Sequence, residues 1–127
     1  MSYRDYEQNP LYQPVLQALQ SSGLKGHPRY YELLAIAAVT HHTKNHDYAG
    51  HEDPLANLRC TEEDGIPAWQ GTWVRAKDKI ARFRRWFKAR VRNEPYELLV
   101  KDETAAESLV DLANYCLLET ILVEELS

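Results

Sequence analysis

The sequence predicts an all-α fold: a helical bundle of four main helices and one short one, in a single domain spanning residues 1–127. Three observations carry that expectation. Apolar residues recur at gaps of three and four over long stretches. Helix-start signals recur, each followed by such a stretch. The one run that reads as a strand in isolation, YELLV at 96–100, has no second run to pair with.

The first start signal is Asn9-Pro10, an N-cap residue followed by proline at the first helical position. A helix should run from Pro10 to Ser22, with Val15, Leu16 and Leu19 as its apolar stripe and Gly23 ending it. His27-Pro28 repeats the signal. The segment RYYELLAIAAVTHHTKN is apolar on most faces through Val39, which predicts a largely buried helix to about Asn45. Asp53-Pro54 then opens a short helical turn with Leu55 and Leu58 inward, and Gly65 and Pro67 punctuate a loop.

From Pro67 to Arg92 the apolar positions are Trp69, Trp73, Ala76, Ile80, Phe83, Phe87 and Val91, an amphipathic helix with that stripe expected in the core. Thr104 and Glu107 form a T-x-x-E capping box, and a last helix continues to the end of the chain.

Composition narrows the function. A chain of 127 residues can bury a core without staples. Cys60 and Cys116 lie far apart, outside any zinc-ligand spacing, which argues for a reducing compartment and against a disulfide scaffold. The amino terminus lacks the apolar region of a secretion signal, and the longest apolar run, Leu33–Val39, is too short to cross a bilayer. A cytoplasmic protein without membrane contact is expected. Net charge is −4, yet residues 75–92 hold nine basic residues and one acid, Asp78, so the rest of the chain carries a net −12.

Four places could carry chemistry. On the last helix, Glu107, Asp111 and Asn114 fall within about 60° of one another. Such a stripe can hold Mg²⁺ through carboxylate and carbonyl oxygens, or simply face water. Glu32 is the one acid in YYELLAIAAV, where a carboxylate needs a partner or a metal, or the favourable dipole of a helix start. The run HHTKNHDY, with His41, His42, His46 and Asp47, is a faint echo of an HD phosphohydrolase site and reads by default as a solvated helix end. On the basic helix, Lys79 and Arg82 could clamp phosphates beside Asp78, or Asp78 and Arg82 could form a plain i,i+4 ion pair.

In order along the chain, DYAGHEDPLANLR, IPAWQGTW, KDKIARF and ESLVDLANYCLLE resemble a group of small phage proteins, the nucleotide-modification-associated and MazG-like helical families. The resemblance spans residues 44–119. It implies a bundle related to all-α nucleotide pyrophosphohydrolases, which hold Mg²⁺ or Mn²⁺ on carboxylates of adjacent helices and hydrolyse a nucleoside triphosphate to monophosphate and pyrophosphate. Glu32, Glu107 and Asp111 would then be catalytic and hold the metal. Lys44, Asp47, Tyr48, Asn57, Asp78, Lys79, Arg82, Asn114 and Tyr115 would contact the nucleotide. The carboxylate set is smaller than the family's, since Ile36 follows Glu32 by one turn and Glu107 and Asp111 are four apart.

Three other readings stand beside hydrolysis. One is a nucleotide-binding module without chemistry. Another is nucleic-acid binding through RFRRWFKARVR, in which Phe83 and Phe87 are expected in the core and Trp86 outside. The last is an interaction protein, with Trp69, Trp73 and Trp86 as interface anchors. A homodimer in the cytosol of a bacterial host is expected.

Overall fold

The computed structural model describes residues 3–48, 53–95 and 104–127. Among them all regular structure is helical: α1 Tyr3–Glu7, α2 Tyr12–Ser21, α3 Pro28–Tyr48, α4 Ala56–Arg59, α5 Ala68–Val91 and α6 Ala105–Glu124. A 3-10 turn, Cys60–Asp64, follows α4. The fold is all-α, with one more short helix, α1, than the sequence predicts. The YELLV run lies outside the described residues. No helix among the described residues is long and apolar enough to cross a membrane.

The ends of the helices follow local chemistry. Asn9 caps as expected but takes its hydrogen bond from the Leu11 N–H at 3.0 Å. Pro10 and Leu11 therefore form a turn, and α2 begins at Tyr12 rather than Pro10. His27 Nδ1 accepts from the Arg29 N–H at the start of α3. Just before it, the Gly26 N–H donates to the Tyr31 hydroxyl at 2.7 Å. A Cβ on Gly26 would meet that same hydroxyl, so any other residue there must displace the tip of the Tyr31 side chain. Asp53 Oδ1 takes the Leu55 N–H, and Thr104 Oγ1 takes the Glu107 N–H at 3.1 Å, realising the capping box of α6.

Two apolar clusters hold the chain. In the first, α1 and α2 lay Tyr6, Tyr12 and Leu16 against Ala35, Ile36 and Val39 of α3. In the second, Leu55, Leu58 and Ala68 enclose Leu122 of α6. Arg59 ties this end together, with Nε 2.8 Å from Asp53 and its terminal nitrogens 2.9 and 3.0 Å from the two Glu125 oxygens.

The long α5–α6 pair corrects the predicted burial. Trp73, Phe87 and Val91 were expected inside, but they are 49%, 53% and 68% exposed. The buried residues of α5 are Ala68, Thr72, Ala76 and Ala89. A helix stripe of small side chains lets a neighbour's backbone approach closely, which the stripe of large ones cannot do. Of the expected core stripe only Ala76 is fully buried; Trp69, Ile80 and Phe83 are half-buried.

α6 is turned the same way. Its polar stripe faces inward, with Glu107 and Ser108 buried and Asp111, Asn114 and Tyr115 half-buried. Its opposite face, with Leu109, Ala113, Cys116, Leu117 and Thr120, is exposed. The alternative that the acidic stripe simply faces water is therefore set aside.

Candidate functional site

The inward polar face of α6 meets the last turns of α3, the α4 turn and the first half of α5. Where they converge a small pocket of about 60 Å³ opens. His41 and Lys44 line it from α3, Asn57 from α4, Arg75 from α5, and Asp111, Asn114 and Tyr115 from α6. Pro54, Leu58 and Leu118 supply apolar wall.

Asp111 organises the site. Its Oδ2 lies 3.0 Å from Lys79 Nζ and its Oδ1 3.7 Å from Lys44 Nζ. The Asp111 and Lys79 side chains are only 19% and 14% exposed, so the shorter contact is a shielded ion pair. Asn114 donates its amide to the Ala37 carbonyl at 3.1 Å, which joins α6 to α3. A backbone carbonyl can only accept, and this fixes the orientation of the amide group. Lys44 and Lys79 thus pair with Asp111, and Arg75 lines the same pocket.

Of the residues predicted from the sequence, Lys44, Asn57, Asp111, Asn114 and Tyr115 line this pocket, and Lys79 joins through Asp111. Glu32 belongs elsewhere: its Oε1 is 3.4 Å from Arg29, which also binds Glu7 at 3.3 Å. Glu107 sits at the buried start of α6. Burial pushes its pKa up, while N–H groups of Tyr3 and Thr104 donate to it and pull the other way. Nearby, burial and then the Glu107 charge push the Tyr3 hydroxyl up to about 12. Asp78 is exposed on α5, and neither it nor Arg82 lines the pocket. The side chains of His46, Asp47 and Tyr48 lie outside the described residues.

The sequence reading passed over two lining residues as ligand contacts, His41 and Arg75. Arg75 stands one turn before Lys79, a spacing that puts both on one helix face. His41 precedes Lys44 by three residues, with the same consequence.

The donor set does not fit a metal held by Glu32, Glu107 and Asp111. Among the described residues no group of three or more His, Cys, Asp or Glu side chains is arranged to hold an ion. Glu32 is committed to a guanidinium, Asp111 to two ammonium groups, and Glu107 to backbone N–H groups. An ion coordinated at 2.0–2.6 Å needs its oxygens converging on one point.

No protein-family model, no curated protein and no solved structure matches the chain.

Proposed function

We propose that this chain is a nucleotide-binding module whose pocket takes a phosphoryl group of a nucleotide or of a similar phosphorylated small molecule. One observation carries the reading: Lys44 and Arg75 line the pocket beside Asn114 and Tyr115, and Lys79 joins it through Asp111. A guanidinium offers phosphate two parallel N–H donors, and the ammonium groups add point charges. Asp111 holds Lys79 and Lys44 in place in the absence of ligand, so binding orders fewer side chains. Pockets that swallow a whole small molecule run from about 300 Å³ upward. This one is sized for a phosphoryl group, with Tyr115 in its wall. The likeness to phage nucleotide-handling proteins points to the same ligand class.

Hydrolysis is the weaker reading, because it depends on an Mg²⁺ or Mn²⁺ ion for which no donor set is arranged among the described residues. The deciding experiment is a panel of standard and modified nucleoside mono-, di- and triphosphates, scored by thermal shift in EDTA and by product chromatography in Mg²⁺. A shift that survives EDTA, with no product, supports the module. Pyrophosphate release from one substrate would restore the hydrolase.

A second reading has its own support. Phe87 is exposed, among the exposed cations Arg84, Arg85, Lys88, Arg90 and Arg92. Phe83 lies 5.5 Å from Trp86 and 6.3 Å from Phe87, centroid to centroid. Basic groups interleaved with an exposed ring suit single-stranded nucleic acid. That reading requires oligonucleotide affinity that falls steeply with salt; no binding at low salt removes it. Either unit is proposed to act as a homodimer through the exposed apolar face of α6.

A further inference from the structure

Arg75 lines the pocket from a half-buried position, yet it has no ion pair or hydrogen bond among the described residues. Arg29 and Arg59 are half-buried as well, and each of them holds two carboxylates. A guanidinium partly withdrawn from water without an acceptor is costly, and an anion in the pocket removes that cost. We infer that this anion is a terminal phosphate, a monoester carrying two charges, and that the pocket discriminates against the singly charged phosphodiester. The inference rests on the phosphoryl-binding reading above and names the class of phosphate within it.

Charge gives the first reason. Asp111 is the one acid among the described lining residues, and Lys79, only 14% exposed, meets it at 3.0 Å. Lys44 stands differently: its side chain is 44% exposed, and its ammonium lies 3.7 Å from Asp111, beyond ordinary hydrogen-bond distance. Lys44 can turn to a ligand at little loss while Lys79 keeps its hold on Asp111. Two lining cations, Lys44 and Arg75, then face the ligand. A monoester answers both, whereas a diester leaves one of them without a partner.

Guanidinium geometry adds to this. The parallel N–H groups of Arg75 suit two oxygens of one phosphate. A monoester offers three terminal oxygens, so two can face Arg75 and one can face Lys44. A diester has two, and the same pair cannot serve both cations as fully.

Shape gives the last reason. A cavity of about 60 Å³ has room for roughly four to six water molecules, about the size of one phosphate group. Leu58 in its wall is 4% exposed and Pro54 is exposed, so the pocket deepens from Pro54 toward Leu58. A group that enters from one end carries one substituent back out, as a monoester does; a diester carries two.

The test uses the full chain in EDTA at pH 8.0, where a monoester carries close to two charges. Titration calorimetry compares adenosine, guanosine, cytidine and thymidine 5′-monophosphates with the methyl esters of the same phosphates. Base and sugar are unchanged in each pair, and one charge is capped. At least one monophosphate should bind about tenfold or more tightly than its methyl ester, and Lys44→Gln, with unchanged far-UV circular dichroism, should shrink that ratio to about threefold or less. Where only triphosphates bind, their terminal methyl esters take the same place in the comparison. A methyl ester that binds as tightly as its parent overturns the inference and leaves nucleotide binding standing, as does a preference that Lys44→Gln leaves intact. Inorganic phosphate that binds as tightly as the monophosphates makes the free anion the ligand and overturns the ester. No binding by any nucleotide overturns the phosphoryl reading and this inference together.

Discussion

The α1–α3 layer and the α5–α6 pair are built from similarly amphipathic helices, yet they use their faces in opposite ways. In the first, large apolar residues point inward as their periodicity dictates: Tyr6, Tyr12 and Leu16 close on Ile36 and Val39. In the second, small residues and a polar stripe point inward, while Trp73, Phe87, Leu109 and Leu117 look outward. Periodicity reports that a helix has two faces; it does not say which neighbour each face is kept for. The inward polar face of the second pair builds the candidate site. Its outward apolar face suits a surface that another molecule covers.

Truncations measure the contrast most strongly. Ile36→Ala removes a fully buried side chain in the first layer and should cost about 2–5 kcal/mol in urea unfolding. Phe87→Ala, the larger deletion by volume, should cost less than about 0.5 kcal/mol in the monomer. Equal losses would erase the distinction between the two regions.

Next in size is the ion pair beneath the pocket. Asp111→Ala deletes the shielded 3.0 Å contact to the Lys79 ammonium, at a cost of about 1–3 kcal/mol for a hydrogen bond to a charged group. Asp111→Asn, which keeps an acceptor oxygen, should lose less, and thermal melts of the two variants rank them. Gly26→Ala drives a methyl into the Tyr31 hydroxyl and should cost about 1–3 kcal/mol as an overpacked site. Pairing it with Tyr31→Phe should recover part of that loss.

The smallest effect is a difference in pH response. The Leu55 N–H, followed by Arg59, holds Asp53 below the usual carboxylate range, and Arg59 does the same to Glu125. Their contribution is present above the unfolded carboxylate pKa and is lost as pH falls through the depressed folded values. Burial raises Glu107 instead, so its contribution is full below the unfolded pKa and fades as pH rises through the raised folded value. Arg59→Ala should flatten the acid limb of the melting-temperature profile. Glu107→Gln should keep the capping box and lessen the loss on going from pH 4 to 7. Both exposed carboxylates are screened by salt, so the first effect should shrink in 1 M NaCl.

What was legible in the sequence follows from range. Helix ends are set by residues within three or four positions, so Asn9, His27-Pro28 and Thr104 with Glu107 announced themselves. The grouping of Asp111 and Asn114 on one face of α6 was also legible, because spacing alone fixes it. The inward face of α5 was not. Six large apolar residues outweigh Ala68, Thr72 and Ala76 in any periodicity argument, although the small ones let α6 come close. Arg75 and His41 joined the pocket through contacts between helices far apart in sequence. Glu32 left two readings open in the sequence, a metal ligand or the partner of an arginine near the helix start, and Arg29, three residues earlier, is that partner.

The central claim is that the inward polar face of the α5–α6 pair receives phosphate, and titration calorimetry of a nucleoside triphosphate in EDTA tests it most directly. Arg75 lines the pocket from a half-buried position and is not the partner of Asp111, so Arg75→Ala should leave the melting temperature unchanged. Saturable binding by the unaltered chain is expected, with at least a tenfold weaker affinity in Arg75→Ala. Equal affinity in the two proteins, or no heat from any nucleotide of the panel, would contradict it.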